Sequence, residues 1–337
     1  MAAQVQASEI RKDPVLERWV IIAPHRGRRL KFVQEEPQAG PATCPFCPGN
    51  EGMTPPEIMA YREPGTKPNT AGWRLRVVHN KFPALQIEGD LDRTPEGMYD
   101  LMNGIGAHEV IIESPNHDPS VEAITVERMD DTLRAYRDRV LDLERDRRMR
   151  CVLVFKNHGA RAGASLLHPH SQLIATPIVP KRVAEELEGA ERHYRFKERC
   201  VFCDVLREEL RTRERMVAEN DLAVGFAPYA ARFPFEACVM PKQHRAAFER
   251  IEDHEIRGVA EVLLEVLRRM SKSLDSPPYN YMLHSAPYGS SDVPHYHWHF
   301  EIVPRITEVQ GFEWGTGFFI NPTSPEEAAR YMREVAI

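Results

Sequence analysis

No apolar run in this 337-residue chain approaches the roughly 18 residues that a membrane-spanning helix needs, so no membrane association is expected. Neither charge dominates. Lys and Arg number 44 against 50 Asp and Glu, a net charge of −6, whereas a dedicated nucleic-acid binder is usually basic. No basic stretch followed by an apolar core opens the chain, so a secretory leader is not expected and a cytoplasmic location is. Cysteine is scarce, with six residues in all. A Gly-x-x-x-x-Gly-Lys-Ser/Thr run is missing, which excludes a Walker-type phosphate cradle. What is left is a globular composition, 42% hydrophobic and 28% charged, in a chain long enough for two domains.

The few cysteines are informative by position. Four form the pairs Cys44-Pro-Phe-Cys47 and Cys200-Val-Phe-Cys203. In a reducing compartment that spacing favours a metal over a disulfide. Cys151 and Cys238 lie in apolar, strand-like runs and read as buried structural residues. A second informative segment is His168-Pro-His170-Ser-Gln172, reached through the small-residue run 157–165. Two histidines at i and i+2 of a strand share a face, and small residues let backbone amides close around an anion. A neutral imidazole can attack phosphorus. From this segment alone, a nucleophile, a metal pair and two ordinary loop histidines all remain open.

The chain also repeats itself. A first copy runs from Cys44/Cys47 through the strand-like 109–114 to His117. It continues with a helical stretch from Thr125 to Arg150, the strand 151–155 and His168-Pro-His170. A second copy runs from Cys200/Cys203 through 235–240 to His244, with a helix from about Ile251 to Leu274. The strand 279–283 and His295-Tyr-His-Trp-His299 follow. His117 and His168 lie 51 residues apart, and His244 and His297 lie 53 apart. Each copy thus offers two cysteines, a strand-end histidine and a histidine of the final motif, a set suited to a closed tetrahedral zinc site. Residues 34–43 and 54–72, rich in Pro, Gly and Thr, read as surface connections. The charged segment Lys181 to Arg199 is helix-compatible and joins the two copies.

At these residues the chain resembles the galactose-1-phosphate uridylyltransferase family of the histidine-triad superfamily, from about Lys12 to Val335. The motifs that carry the resemblance are Cys44-Pro-Phe-Cys47, Ser114-Pro-Asn-His117, the 157–172 run and His295-Tyr-His-Trp-His299. It implies an α+β fold of two tandem histidine-triad-like units, mostly antiparallel sheets with flanking helices. Residues 1–178 would carry the nucleophile and 179–337 would form the second unit. It further implies a ping-pong reaction. His170 would attack the α-phosphorus of UDP-glucose, and the uridylyl-histidine would pass its nucleotide to galactose 1-phosphate. Gln172 would donate to the phosphoryl oxygens, and Gly163 and Ser165 would hold phosphate. Arg26 and Arg29 would sit near the sugar phosphate, with Asn80, Phe82 and Asn157 contacting nucleotide. A homodimer is implied as well.

The resemblance places a first zinc site on Cys44, Cys47, His117 and His168. For the second site it offers two patterns. One is Cys200, Cys203, His244 and His297, which the internal repeat favours. The other is Glu186, His284, His297 and His299, with iron as an alternative metal. Thr316 and Gly317 stand where the best-known bacterial members carry a Tyr-Glu pair near the hexose. This departure resembles an ADP-glucose phosphorylase branch, in which ADP-glucose and phosphate replace UDP-glucose and hexose 1-phosphate.

Overall fold

The computed structural model describes residues 7–29, 44–118 and 120–337, the side chains of residues 27–29 excepted. Near the start, β1 (Glu9–Lys12) and β2 (Trp19–Ile22) form an antiparallel hairpin. There follow β3 (Glu57–Arg62), β4 (Trp73–His79), a small outlying hairpin of β5 (Thr94–Glu96) and β6 (Tyr99–Leu101), and β7 (Ala107–Ile112). Helix α1 (Val126–Leu143), β8 (Cys151–His158) and β9 (His170–Thr176) complete the first half. Helices α2 (Lys181–Lys197) and α3 (Val201–Thr212) lead to β10 (Met216–Glu219), β11 (Ala223–Phe226) and β12 (Ala237–Pro241). Then come α4 (Asp253–Leu274), β13 (Tyr279–His284) and β14 (His299–Pro304). A short α5 (Gly311–Thr316), β15 (Phe319–Asn321), which pairs parallel with β2, and α6 (Pro325–Glu334) close the chain.

Ten strands make one sheet in the order β10-β11-β12-β14-β13-β8-β9-β7-β4-β3, antiparallel throughout. The order β7-β9-β8 in one half is mirrored by β12-β14-β13 in the other, and the halves meet where β8 pairs with β13. Register makes the repeat explicit. Gln172 lies opposite Val110, and Glu301 lies opposite Cys238. Gln172 and Glu301 are therefore equivalent positions, as are His170 and His299 two residues earlier.

Helices α1 and α4 cover one face of this sheet. Thr125 caps α1 by accepting from the Arg128 amide, and Met129, Leu133, Tyr136, Val140 and Leu143 form its buried stripe. The helix stops at Leu143 rather than at Arg150. Asp146 accepts from the Arg148 amide and guanidinium, a local alternative to continued helix. One core of buried side chains runs through both halves, from Leu75 and Leu133 to Leu263 and Phe300. The opposite face carries two smaller clusters, one around Cys44 and Trp73 and one around Cys200 and Phe202.

The expectation of a connection over 54–72 needs correction. Residues 57–62 form β3, the outermost strand, because Ile58 and Tyr61 pack against the core while Arg62 and Arg76 neutralise Glu57. The prolines at 55, 56 and 68 flank that strand and hid it. Residues 34–43 lie outside the described residues.

Candidate active site and metal centres

His170 opens β9 with its ring buried against the edge of Phe46, 5.3 Å between centroids. Its Nδ1 lies 2.8 Å from the main-chain carbonyl of His168. A carbonyl only accepts, so Nδ1 carries the proton and Nε2 keeps its lone pair. Burial holds the ring's pKa below the ordinary 6.5, which keeps it neutral. This is the protonation state a nitrogen nucleophile requires.

Around it, β8 supplies Asn157 from the adjacent strand. Asn280 of β13 donates to both Asn157 Oδ1 and the Ala162 carbonyl at 2.8 Å, tying the small-residue loop to the second half. Gly163 has a left-handed backbone, φ 92°, and a Cβ there would lie 3.4 Å from Asn157 Nδ2. The left-handed backbone favours glycine there, while the contact to Asn157 is an ordinary one. Ser165 follows, exposed, two residues on. Gln172 points from the same strand face as His170. Asn80 follows β4, and Phe82 is 84% exposed beside it.

Cys44, Cys47, His117 and His168 bring their ligand atoms within 4.8 Å of one another. Cys47 Sγ lies 3.3 Å from His117 Nδ1 and 3.6 Å from His168 Nδ1. A tetrahedron with Zn–S and Zn–N bonds of about 2.3 and 2.0 Å has S···N edges of about 3.5 Å, so the spacing fits such an ion. His168 Nε2–H donates to the Ser114 carbonyl at 2.7 Å, which leaves Nδ1 as the ligand atom. Cys200, Cys203, His244 and His297 form a matching group, with Cys203 Sγ 3.2 and 3.5 Å from the two Nδ1 atoms. Cys200, His244 and His297 beside it lower the pKa of the Cys203 thiol, and its place in the first turn of α3 also favours the thiolate. The groups differ in one respect. His297 Nε2 is buried with no partner among the described residues.

The alternative quartet does not assemble around His297. Glu186, His284 and His299 converge as a separate group, with His284 Nδ1 3.0 Å and His299 Nε2 3.5 Å from the Glu186 carboxylate. His299 repeats the pose of His170, its Nδ1 3.0 Å from the His297 carbonyl. Its Nε2, however, lies 3.5 Å from the Glu186 carboxylate, a neighbour with no counterpart in the hydrogen bonds of His170 among the described residues. Glu301 stands in the place of Gln172 and pairs with Arg182 and Arg232. A cavity of about 540 Å³ adjoins this group, lined among others by Phe202, Val205 and Glu236.

Residues 1–180 match the family model described as galactose-1-phosphate uridyl transferase, N-terminal domain, and residues 108–335 match a domain of unknown function. The chain belongs to the galactose-1-phosphate uridylyltransferase family. It is 38% identical to ADP-glucose phosphorylase of Arabidopsis thaliana, over 98% of this chain and 94% of that one. With galactose-1-phosphate uridylyltransferase of Thermotoga maritima it shares 29% over 98% and 99%. The crystal structure of the Arabidopsis ADP-glucose phosphorylase with bound ADP-glucose superposes with a TM-score of 0.84 at 37% identity, covering 98% and 100% of the two chains. This family member is thus a nucleotidyltransferase-family enzyme of the α+β class.

The remaining expected contacts separate. Arg26 opens onto a different cleft of about 200 Å³, with Arg232, Glu308, Gln310 and Phe319, on the side of the second half. The side chain of Arg29 lies outside the described residues. Asn280 and His108 (2.8 Å from Gln172) were missed by sequence reasoning, as was the Lys156–Glu113 pair buried on the opposite face of the sheet. His108 had a usable signal, since it alternates with Val110 and Ile112 toward the His170 face.

Proposed function

We propose that this chain transfers a nucleoside monophosphate from a nucleotide sugar to a phosphorylated acceptor through a covalent nucleotidyl-His170. The observation that carries this is the 2.8 Å bond from His170 Nδ1–H to the His168 carbonyl, which presents Nε2 as a neutral nucleophile. In the first step Nε2 bonds to the α-phosphorus, and the bond to the sugar-phosphate oxygen breaks. The sugar 1-phosphate departs with that electron pair. In the second step an acceptor phosphate oxygen attacks the same phosphorus and releases the imidazole. Gln172, Asn157, Gly163 and Ser165 hold the phosphates, while Asn80 and Phe82 meet the nucleotide. In a homodimer Arg26 would meet the sugar phosphate, and the resemblance assigns Arg29 the same role. The two Cys₂His₂ groups would hold Zn²⁺, which would tie the Cys44 and Cys200 loops to the strands that carry His170 and His299, a structural contribution.

Similarity to the galactose-1-phosphate uridylyltransferases supports UDP-glucose as donor and hexose 1-phosphate as acceptor. A second reading, ADP-glucose with inorganic phosphate as acceptor, is favoured by the 38% identity to the Arabidopsis ADP-glucose phosphorylase. Intact-mass measurement after mixing with each sugar nucleotide tests the proposal. One donor should add a nucleoside monophosphate to the wild type and to His299→Asn, and nothing to His170→Asn. Absence of an adduct with both donors would overturn it. Discharge of the adduct by galactose 1-phosphate or by phosphate identifies the acceptor.

A further inference from the structure

Hydrogen bonds anchored in the main chain converge on the Gln172 side chain. The Ala84 amide donates to Nδ1 of His108 at 3.1 Å. A ring nitrogen that accepts carries no proton, so the neutral ring of His108 carries its proton on Nε2. That Nε2–H lies 2.8 Å from Oε1 of Gln172 and donates to it. Asn80 is fixed in the same manner. The Phe82 amide donates to Asn80 Oδ1 at 2.9 Å, so the other end of that side chain is its NH₂ group. This NH₂ stands 3.5 Å from the same Gln172 oxygen. The 3.1 Å between Asn80 Nδ2 and His108 Nε2 is then the gap between two donors flanking one acceptor.

The two ends of a side-chain amide have nearly the same shape, and only their partners tell them apart. Here both donors approach one end of Gln172, which must be its oxygen. The NH₂ end is turned away from them, on the strand face that carries His170. A glutamine flipped the other way would present its oxygen to a phosphoryl oxygen and repel it. A donor held ready before charge develops costs no reorientation in the transition state.

We propose that His108 is a positioning residue that locks the Gln172 amide with its NH₂ toward the phosphate attacked by His170. This rests on the nucleotidyl-transfer reading above. His108 touches no substrate itself, and it acts through Gln172.

The test measures single-turnover adduct formation with saturating sugar nucleotide. His108→Phe keeps a ring but removes the donor, and the rate is expected to fall at least about tenfold with little change in KM. His108→Gln restores a donor and is expected to recover most of the rate. His108→Phe combined with Gln172→Ala is expected to be no slower than Gln172→Ala alone, because the two act as a unit. A His108→Phe rate near that of the wild type, or losses that multiply in the double variant, would overturn the proposal. Ring ¹⁵N NMR of the wild-type chain at neutral pH supplies a readout independent of turnover and of variant folding. It is expected to show the Nε2–H tautomer of His108, and an Nδ1–H tautomer or an imidazolium refutes the positioning role. A wild type with the Nε2–H tautomer but no adduct would sink the transfer reading while leaving the orientation of Gln172 supported.

Discussion

The Lys156–Glu113 ion pair is buried on the α1 side of the sheet, behind the strand that bears His170. Phe155 pairs with Gln172 in register, so Lys156 faces the other way, with Ser171, whose hydroxyl accepts from Tyr136 of α1. Breaking a buried pair strands a charge. Lys156→Met is expected to destabilise the chain by about 3–5 kcal/mol, and the double change with Glu113→Gln to recover most of that, read by urea unfolding. His158 gives a pH prediction. Burial, then Lys156, lowers its pKa to about 4, while the unfolded residue titrates near the ordinary 6.5. Between those values the unfolded state binds the extra proton. Stability should therefore fall as pH drops through this window, by up to about 3 kcal/mol from this residue. His158→Phe should remove that part of the slope, and an unchanged slope would exclude the assignment. At this scale the sequence exposed residues that stand in a compact motif, such as His168 and His170. It hid those whose partners arrive from distant strands, such as His108 and Lys156.

Elements were legible wherever periodicity and capping agreed. The stripe of α1 and the capping box of α4, Glu252 with Glu255, both leave clear marks in the chain. The strand β3 left none, because its flanking prolines outweighed a six-residue edge segment. Glycines report close packing between elements. A Cβ on Gly189 of α2 would lie 1.9 Å from the Val15 carbonyl oxygen, a main-chain atom with little room to yield. Gly189→Ala is expected to cost about 1–3 kcal/mol despite its gain in helix propensity, measured as a lowered thermal midpoint. A variant as stable as the wild type would mean that α2 shifts freely from the segment before β2.

For the whole molecule, the internal repeat foresaw two similar halves and the two Cys₂His₂ groups, but not that the halves share one sheet and one core. Register across β8 and β13 is a property of the assembled sheet, and no single segment encodes it. Metal analysis is expected to find two ions per chain, one lost in Cys44→Ser and the other in Cys200→Ser. Retention of both ions in Cys200→Ser would move the second to Glu186, His284 and His299. Chelation should lower the thermal midpoint, because binding free energy is folding free energy at such sites.

The join between β8 and β13 has one more consequence. Were the same sheet built from two copies of a shorter chain, any change at the position of Gln172 would appear on both sides at once. Linking the copies in one chain frees each to be inherited separately. One side can keep Gln172 two residues after His170 while the other carries Glu301 and sets its histidine against Glu186. The two halves of this molecule differ at equivalent positions, as two identical copies could not.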